Sequence, residues 1–412
     1  MSANNQHPNL LFSSYHNYLD GASGAALTTR AQLLALSRAG WRVRTLCGSF
    51  FDGGQRAEEA FYNTARRLRL RVTREKYEAT FDGKSRSFQL FRFNDEGIES
   101  VFFLSDADDA YYPQHILPRS SGKIFLQLLA RELQTSRPDV YASYGGYWLA
   151  VKAAEYAGAV GARRVFLLHN MSYRKVELFR HFDKVVVPSE FARRRYSETL
   201  DFDSIVLPPL LDETRVIADR RDGDYVVFIN PALEKGRNFF LGIARDLGRV
   251  RADIPLLAIE SRARANAFGR APFVRELRNL NVAEWVEDVR SIYASTRLLL
   301  FPSLCDETFG RVALEAAFNG IPVLCSDRGA TRELLEELGG SECVLPIPRR
   351  FQPDSANYPE ANETKPWLDA IIELWDNPKR VRELGARMQT QAKAYNYEVV
   401  CRRTLDLFQS LL

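Results

Sequence analysis

The sequence predicts an α/β protein built from two doubly wound halves, and three observations carry that expectation. Short apolar runs alternate with helical patterns along nearly the whole chain, as parallel sheets covered by helices require. The alternation breaks at Pro208-Pro209, followed by Leu-Leu-Asp, and then restarts. At 412 residues the chain is also too long for one ordinary domain.

Taken in order, residues 10–13 read as a strand, followed by a glycine-rich turn, a helix over 25–38 and a strand over 41–47. Residues 139–143, 164–168 and 184–187 repeat the strand pattern, each followed by a loop or helix. The stretch near 76–105 looks different. Asp82-Gly83 between 77–81 and 87–93 is a tight hairpin signal, and Asn94-Asp95-Glu96-Gly97 suggests a second turn before 101–104. An antiparallel insertion is expected there, either shaping substrate choice or lying as a plain surface hairpin. Beyond residue 210, strands are predicted at 225–229, 255–259, 298–301 and 322–324, with a helix over 239–250. Helical patterns over 366–375, 379–394 and 397–411 close the chain.

Composition bounds the function. With 46% hydrophobic and 26% charged residues the chain can build full-sized cores, which excludes disorder and a small stapled scaffold. A formal charge of +4 gives slight support to an anionic ligand and none to nucleic acid over a small phosphorylated one. The five cysteines are scattered without a C-x-x-C pair, which argues against a disulfide framework or zinc site and fits a reducing cytoplasm. No signal-peptide pattern opens the chain and no apolar run is long enough to span a membrane, so a cytoplasmic protein is expected.

The most informative stretch runs from Phe301 to Pro322. A buried strand ends at Pro302, a loop carries Glu307, and a helix is expected from about Phe309-Gly310 to Asn319-Gly320. Ligands of a parallel sheet sit beyond the carboxyl ends of its strands, where the free N–H groups of a helix start can hold a diphosphate. Gly310 lets a phosphate approach the backbone closely. Glu315 lies about 7–8 Å further along the helix axis at 1.5 Å per residue, a span that suits the ribose of the same nucleotide. Glu307, outside the helix, is placed to bond sugar hydroxyls.

Glu307-Thr-Phe-Gly-Arg-Val-Ala-Leu-Glu315-Ala-Ala-Phe-Asn-Gly-Ile-Pro-Val resembles the signature of retaining GT-B glycosyltransferases of family 4, the glycosyl transferases group 1. Gly21-Ala-Ser-Gly24 is similar to that family's glycine loop, Glu234-Lys235-Gly236 to its phosphate-binding turn, and Val186-Val-Pro-Ser189-Glu190-Phe191 with Pro208-Pro-Leu-Leu-Asp212 to its inter-domain approach. The resemblance implies two Rossmann-like domains facing a central cleft. An acceptor-binding domain would span 1–210, a nucleotide-sugar domain 211–394, and a final helix, 395–412, would return to the first. It also implies a metal-independent transfer from a nucleotide-diphosphate sugar, by default a UDP-sugar, with no other cofactor. The acceptor is left open: a sugar, a lipid, a natural product or a protein.

By the same resemblance His169, at the end of a predicted strand, contacts the donor sugar near the reacting carbon. Glu307 serves the sugar, Glu315 the ribose, and Lys235 neutralises the leaving diphosphate. Gly24, Phe309, Gly310 and Arg311 complete the donor site. One position departs from the pattern: the family's second phosphate cation, five residues before the lysine, is here Asn230. Arg311 or Arg237 could supply that charge. Three Asp-x-Asp triplets, at Asp106–Asp108, Asp201–Asp203 and Asp222–Asp224, lack the strand-end context of a metal–nucleotide site. The basic run from Arg66 to Arg74 could touch anionic lipid or form a solvated face. A non-catalytic GT-B-like scaffold and a related sugar-nucleotide epimerase or phosphorylase are the competing functions.

Overall fold

The computed structural model describes residues 7–52, 56–81, 83–105, 119–145, 148–219, 223–261, 268, 273–284, 286 and 288–412. Asp82 of the hairpin signal, the triplet Asp106–Asp108 and Asp222 lie outside the described residues. The chain divides into two compact units, Met1–Leu210 with Glu398–Leu412, and Leu211–Tyr397.

In unit 1, strands β1 (Asn9–His16), β2 (Arg42–Phe50), β3 (Val72–Phe81), β4 (Lys84–Asp95), β5 (Ile98–Leu104), β6 (Val140–Ser143), β7 (Arg163–Leu167), β8 (Lys184–Val187) and β9 (Ile205–Val206) form one sheet. Its order is β3-β4-β5-β2-β1-β6-β7-β8-β9. Every pairing from β5 to β9 is parallel, whereas β3–β4 and β4–β5 are antiparallel. The antiparallel region therefore begins at Val72 rather than 76, and β5 is a full member of the parallel sheet. Arg74, Glu75, Lys76 and Glu78 keep β3 polar because it is the edge strand, where charge blocks further pairing.

Both faces of this sheet are covered, so both parities of β1 are buried. Leu11 and Tyr15 join one core with Leu46, Phe125 and Phe166. A separate aromatic group centres on Phe61, whose ring lies 4.7 Å from Phe102 and 5.2 Å from Phe91. The strand continues three residues past the apolar run that signals it, through Ser14 and Tyr15 to His16. The helix Gly24–Arg38 follows, capped by Ser23. Its Arg30 pairs with buried Asp95 through two hydrogen bonds, 2.8 and 2.6 Å.

In unit 2, strands β10 (Tyr225–Ile229), β11 (Leu256–Ile259), β12 (Leu280–Ala283), β13 (Thr296–Phe301), β14 (Val323–Ser326) and β15 (Val344–Leu345) form a second sheet. Its order is β12-β11-β10-β13-β14-β15, with all pairings parallel. The chain winds outward from β10 through β11 to β12, then returns to start again at β13 on the other side of β10. The carboxyl ends of β10 and β13 are thus the point where the winding reverses, and a crevice opens there in such sheets. The helix Ala361–Asp376 starts five residues before the expected Pro366, because Glu360 and Glu363 form a capping box that sets its first turn.

Candidate functional site

The turn after β10 and the loop after β13 meet at the reversal point of unit 2. Leu233–Lys235 form one turn of 3-10 helix, ended by Gly236 at φ +87°. A Cβ on Gly236 would stand 1.9 Å from the carbonyl oxygen of Pro302, so only glycine lets the turn press on the end of β13. The amides of Leu304 and Cys305 donate back to the Glu234 carbonyl at 2.9 and 3.2 Å. From the far side, Ala330 N–H donates to the Glu307 carbonyl at 2.8 Å. Gly329 passes so close that a Cβ there would lie 2.2 Å from Glu307 N.

That scaffold fixes an ion pair. Lys235 Nζ lies 2.6 Å from Glu307 Oε1, and Ser303 Oγ donates to the same oxygen at 2.8 Å. The Cys305 thiol, 3.7 Å away, is also on Oε1. Oε2 accepts no hydrogen bond from the described residues. Burial alone would push the Glu307 carboxyl up, yet the Lys235 ammonium beside it holds it below its ordinary value. Burial likewise opposes the Lys235 charge, and Glu307 raises it above the usual lysine range. Both groups are therefore ionised across the neutral range.

The helix Arg311–Phe318 begins at Gly310, whose φ of +100° requires glycine. Glu315 is buried on its inner face. Tyr293 Oη donates to Glu315 Oε2 at 2.6 Å, and Arg311 Nε donates to Oε1 at 2.9 Å. Phe309 is buried and its ring meets Tyr395 edge-on at 5.6 Å, so only its main chain can face a ligand. Thr331, buried at the next helix start, places its unpartnered Oγ1 3.1 Å from where a Gly310 Cβ would be.

Asn230, immediately after β10, sits at φ +65°. Asparagine is among the residues that tolerate this left-handed region best. Arg237 is the first residue of the helix Arg237–Val250 and contacts the neighbouring Asn238 side chain at 3.3 Å. It has no ion-pair partner among the described residues, whereas Arg311 is tied to Glu315.

The remaining expected site residues, His169 and Gly24, belong to unit 1. His169 lies two residues beyond β7, with Nε2 3.3 Å from Thr29 Oγ1 and its ring edge-on to Tyr144 at 5.7 Å. Burial, aided by nearby His16, lowers its pKa to about 4, so it is neutral at physiological pH. Gly24 is the exposed first residue of its helix. Tyr293 and Ser303, which orient Glu315 and Glu307, were not among the residues the sequence singled out. Ser303 lies inside the quoted stretch, while Tyr293 carries no local signal.

These features place the chain in the GT-B structural class, and solved structures agree. A glycosyltransferase from Rickettsia africae ESF-5 shares the fold at a TM-score of 0.66 and 11% identity, over 98% of each chain. Sucrose-phosphate synthase from Thermosynechococcus elongatus gives a TM-score of 0.65 at 16% identity, over 98% of this chain and 99% of that one. Anabaena HepE, solved with UDP and glucose, gives 0.63 at 14%, over 98% of this chain and 100% of that one. Within this fold, residues 246–354 match the family model described as Glycosyl transferases group 1. That segment contains the Glu307–Glu315 stretch. No curated protein sequence matches the chain.

Proposed function

We propose that the protein is a retaining glycosyltransferase that takes a sugar from a nucleotide-diphosphate donor, by default a UDP-sugar, bound on unit 2. The observation that carries this reading is the meeting of Lys235 and Glu307 at the reversal point of the sheet, beside the helix start at Gly310. A diphosphate seated at that helix start gains its free N–H groups and the Lys235 charge. Glu307 Oε2 accepts from sugar hydroxyls, and Glu315, held by Tyr293 and Arg311, accepts from the ribose. Arg237, which has no carboxylate partner among the described residues, supplies the second phosphate cation in place of Asn230. No metal is required, since fixed cations meet the leaving charge. Unit 1 takes the acceptor, whose class is open, and the resemblance assigns its His169 to the donor sugar.

The test is a thermal-shift panel of nucleotides and nucleotide sugars. UDP at about 100 times its Kd should add roughly 2.7 kcal/mol of stability. Arg237→Ala should raise the donor KM about tenfold, or 1.4 kcal/mol, more than Arg311→Ala does once the loss of Glu315 ordering is corrected for with UDP affinity. Stabilisation by no nucleotide would sink the donor-site reading. Full loss of turnover in chelator would sink metal independence.

A further inference from the structure

Side chains alternate along β1, so Leu11, Ser13 and Tyr15 share one face of the unit 1 sheet. The parallel register sets Tyr141 of β6 beside Leu11, which puts Ser143 on that same face. Leu11, Tyr15 and Tyr141 belong to a core that includes Phe125 of the helix Arg119–Ser136 and Ala150 and Ala153 of the helix Trp148–Ala159. Ser13 and Ser143 break the apolar pattern of this face, and beside them lies a hollow of about 20 Å³, room for one water-sized group. The rings of Tyr15 and Tyr144 wall it, but their hydroxyls are engaged elsewhere, on Ser105 Oγ at 3.0 Å and on the His16 carbonyl at 3.3 Å. Of the described residues around the hollow only Gly145, two positions past β6, is not buried. The hollow therefore opens at the carboxyl end of the sheet, the end at which doubly wound sheets receive their ligands.

Two hydroxyls facing this space are left over. Ser13 Oγ and Tyr141 Oη are buried and close no hydrogen bond to a described residue, which is costly for groups cut off from water. Burial raises the Tyr141 phenol above its usual pKa, and the hydroxyls of Ser143 and Ser13 beside it offset part of the rise. Ser143 Oγ gives its proton to the Ser13 carbonyl at 2.7 Å, which leaves its lone pairs for a donor. The three oxygens thus surround a gap that they do not close themselves. A guest hydroxyl fits the set: its oxygen accepts from Ser13 and Tyr141, and its proton goes to Ser143. Among the described residues no charged side chain lines the hollow, so a phosphate, carboxylate or ammonium would lie there without a counter-charge. A bare methyl group would leave both hydroxyls unmet.

We infer that this hollow is an anchoring subsite for the acceptor, taking one hydroxyl of a neutral, hydroxyl-rich molecule: a sugar or another polyol. The inference rests on the glycosyltransferase reading above and narrows its open acceptor class. The subsite lies wholly within unit 1. Ser13 and Tyr141 are specificity-determining residues, and the hydroxyl they hold has both lone pairs occupied, so it is one that stays unglycosylated.

The probes are D-glucose, D-galactose and N-acetylglucosamine, with their binding to the full chain titrated by saturation-transfer NMR. At least one should bind. Tyr141→Phe and Ser13→Ala should each weaken it about tenfold, as loss of one buried hydrogen bond does, with the thermal shift by UDP unchanged. Among the deoxy analogues of that sugar, the one lacking the anchored hydroxyl should bind the wild type about tenfold more weakly and lose nothing further in either variant. That pattern separates a missing hydrogen bond from a loosened core. Wild-type affinity in both variants, or an equal loss for every deoxy analogue, overturns the inference and leaves a bound water as the occupant. So does a wild type that binds UDP but none of the three sugars. If UDP fails to bind while a sugar is held in this way, the subsite stands and the glycosyltransferase reading falls.

Discussion

At the residue scale, electrostatics sorts the polar groups by what their neighbours permit. His169 is neutral because burial penalises its charged form, with a pKa of about 4 in the folded chain. Unfolded, it takes up a proton near its ordinary value of about 6.5, so its contribution to stability is full above that pH and declines as the pH falls toward 4. Melting curves between those limits should show a smaller decline in His169→Asn than in the wild type. Equal slopes would mean that His169 is solvated. Tyr293 is tested differently. Tyr293→Phe removes a donor from buried Glu315 and should cost about 1.5–3 kcal/mol in urea unfolding, with weaker UDP binding. Some of this was visible in the chain and some was not. Glu307, Lys235 and Glu315 stand in a recognisable run, whereas Tyr293 matters only because β13 and the helix after it bring it beneath Glu315. Asp95 shows the same limit: within Asn94-Asp95-Glu96-Gly97 it reads as a turn residue, yet it is the buried partner of Arg30, 65 positions away.

At the element scale, the turns are more specific than the strands. The apolar runs place β8 and β10 at their observed bounds, since a strand buried on both faces leaves a continuous apolar signature. Short or half-exposed strands such as β12, with Asn281 and Val282 on the surface, leave almost none. The 3-10 turn at Leu233–Lys235 depends on Gly236 meeting Pro302. Gly236→Ala combines a left-handed backbone with a near-collision at 1.9 Å. It should destabilise unit 2 by about 2 kcal/mol or more and displace Lys235 from Glu307. Retention of both wild-type stability and UDP affinity in that variant would show that the turn relaxes without cost.

At the scale of the whole molecule, the two units differ in how the chain builds them. Unit 2 is one contiguous segment with its own core, and Leu211–Tyr397 expressed alone should fold and bind UDP. Unit 1 is discontinuous. Val400, Thr404 and Phe408 of the helix Tyr397–Gln409 are buried, and Phe408 meets Trp41 edge-on at 6.2 Å. Deleting residues 398–412 should lower the stability of unit 1 while sparing UDP binding by unit 2, which protease resistance and thermal shift would resolve. Loss of both properties together would show the units to be one cooperative block.

The membership of that last helix also sets a timetable. A ribosome delivers residues in order, and a contiguous segment can fold as soon as it emerges. Residues 1–210 emerge before unit 2, but Phe408, whose ring packs on Trp41, emerges only after all of unit 2 has been made. Of the two units, the one begun first is therefore the one completed last, and until then Trp41 lacks the ring of Phe408.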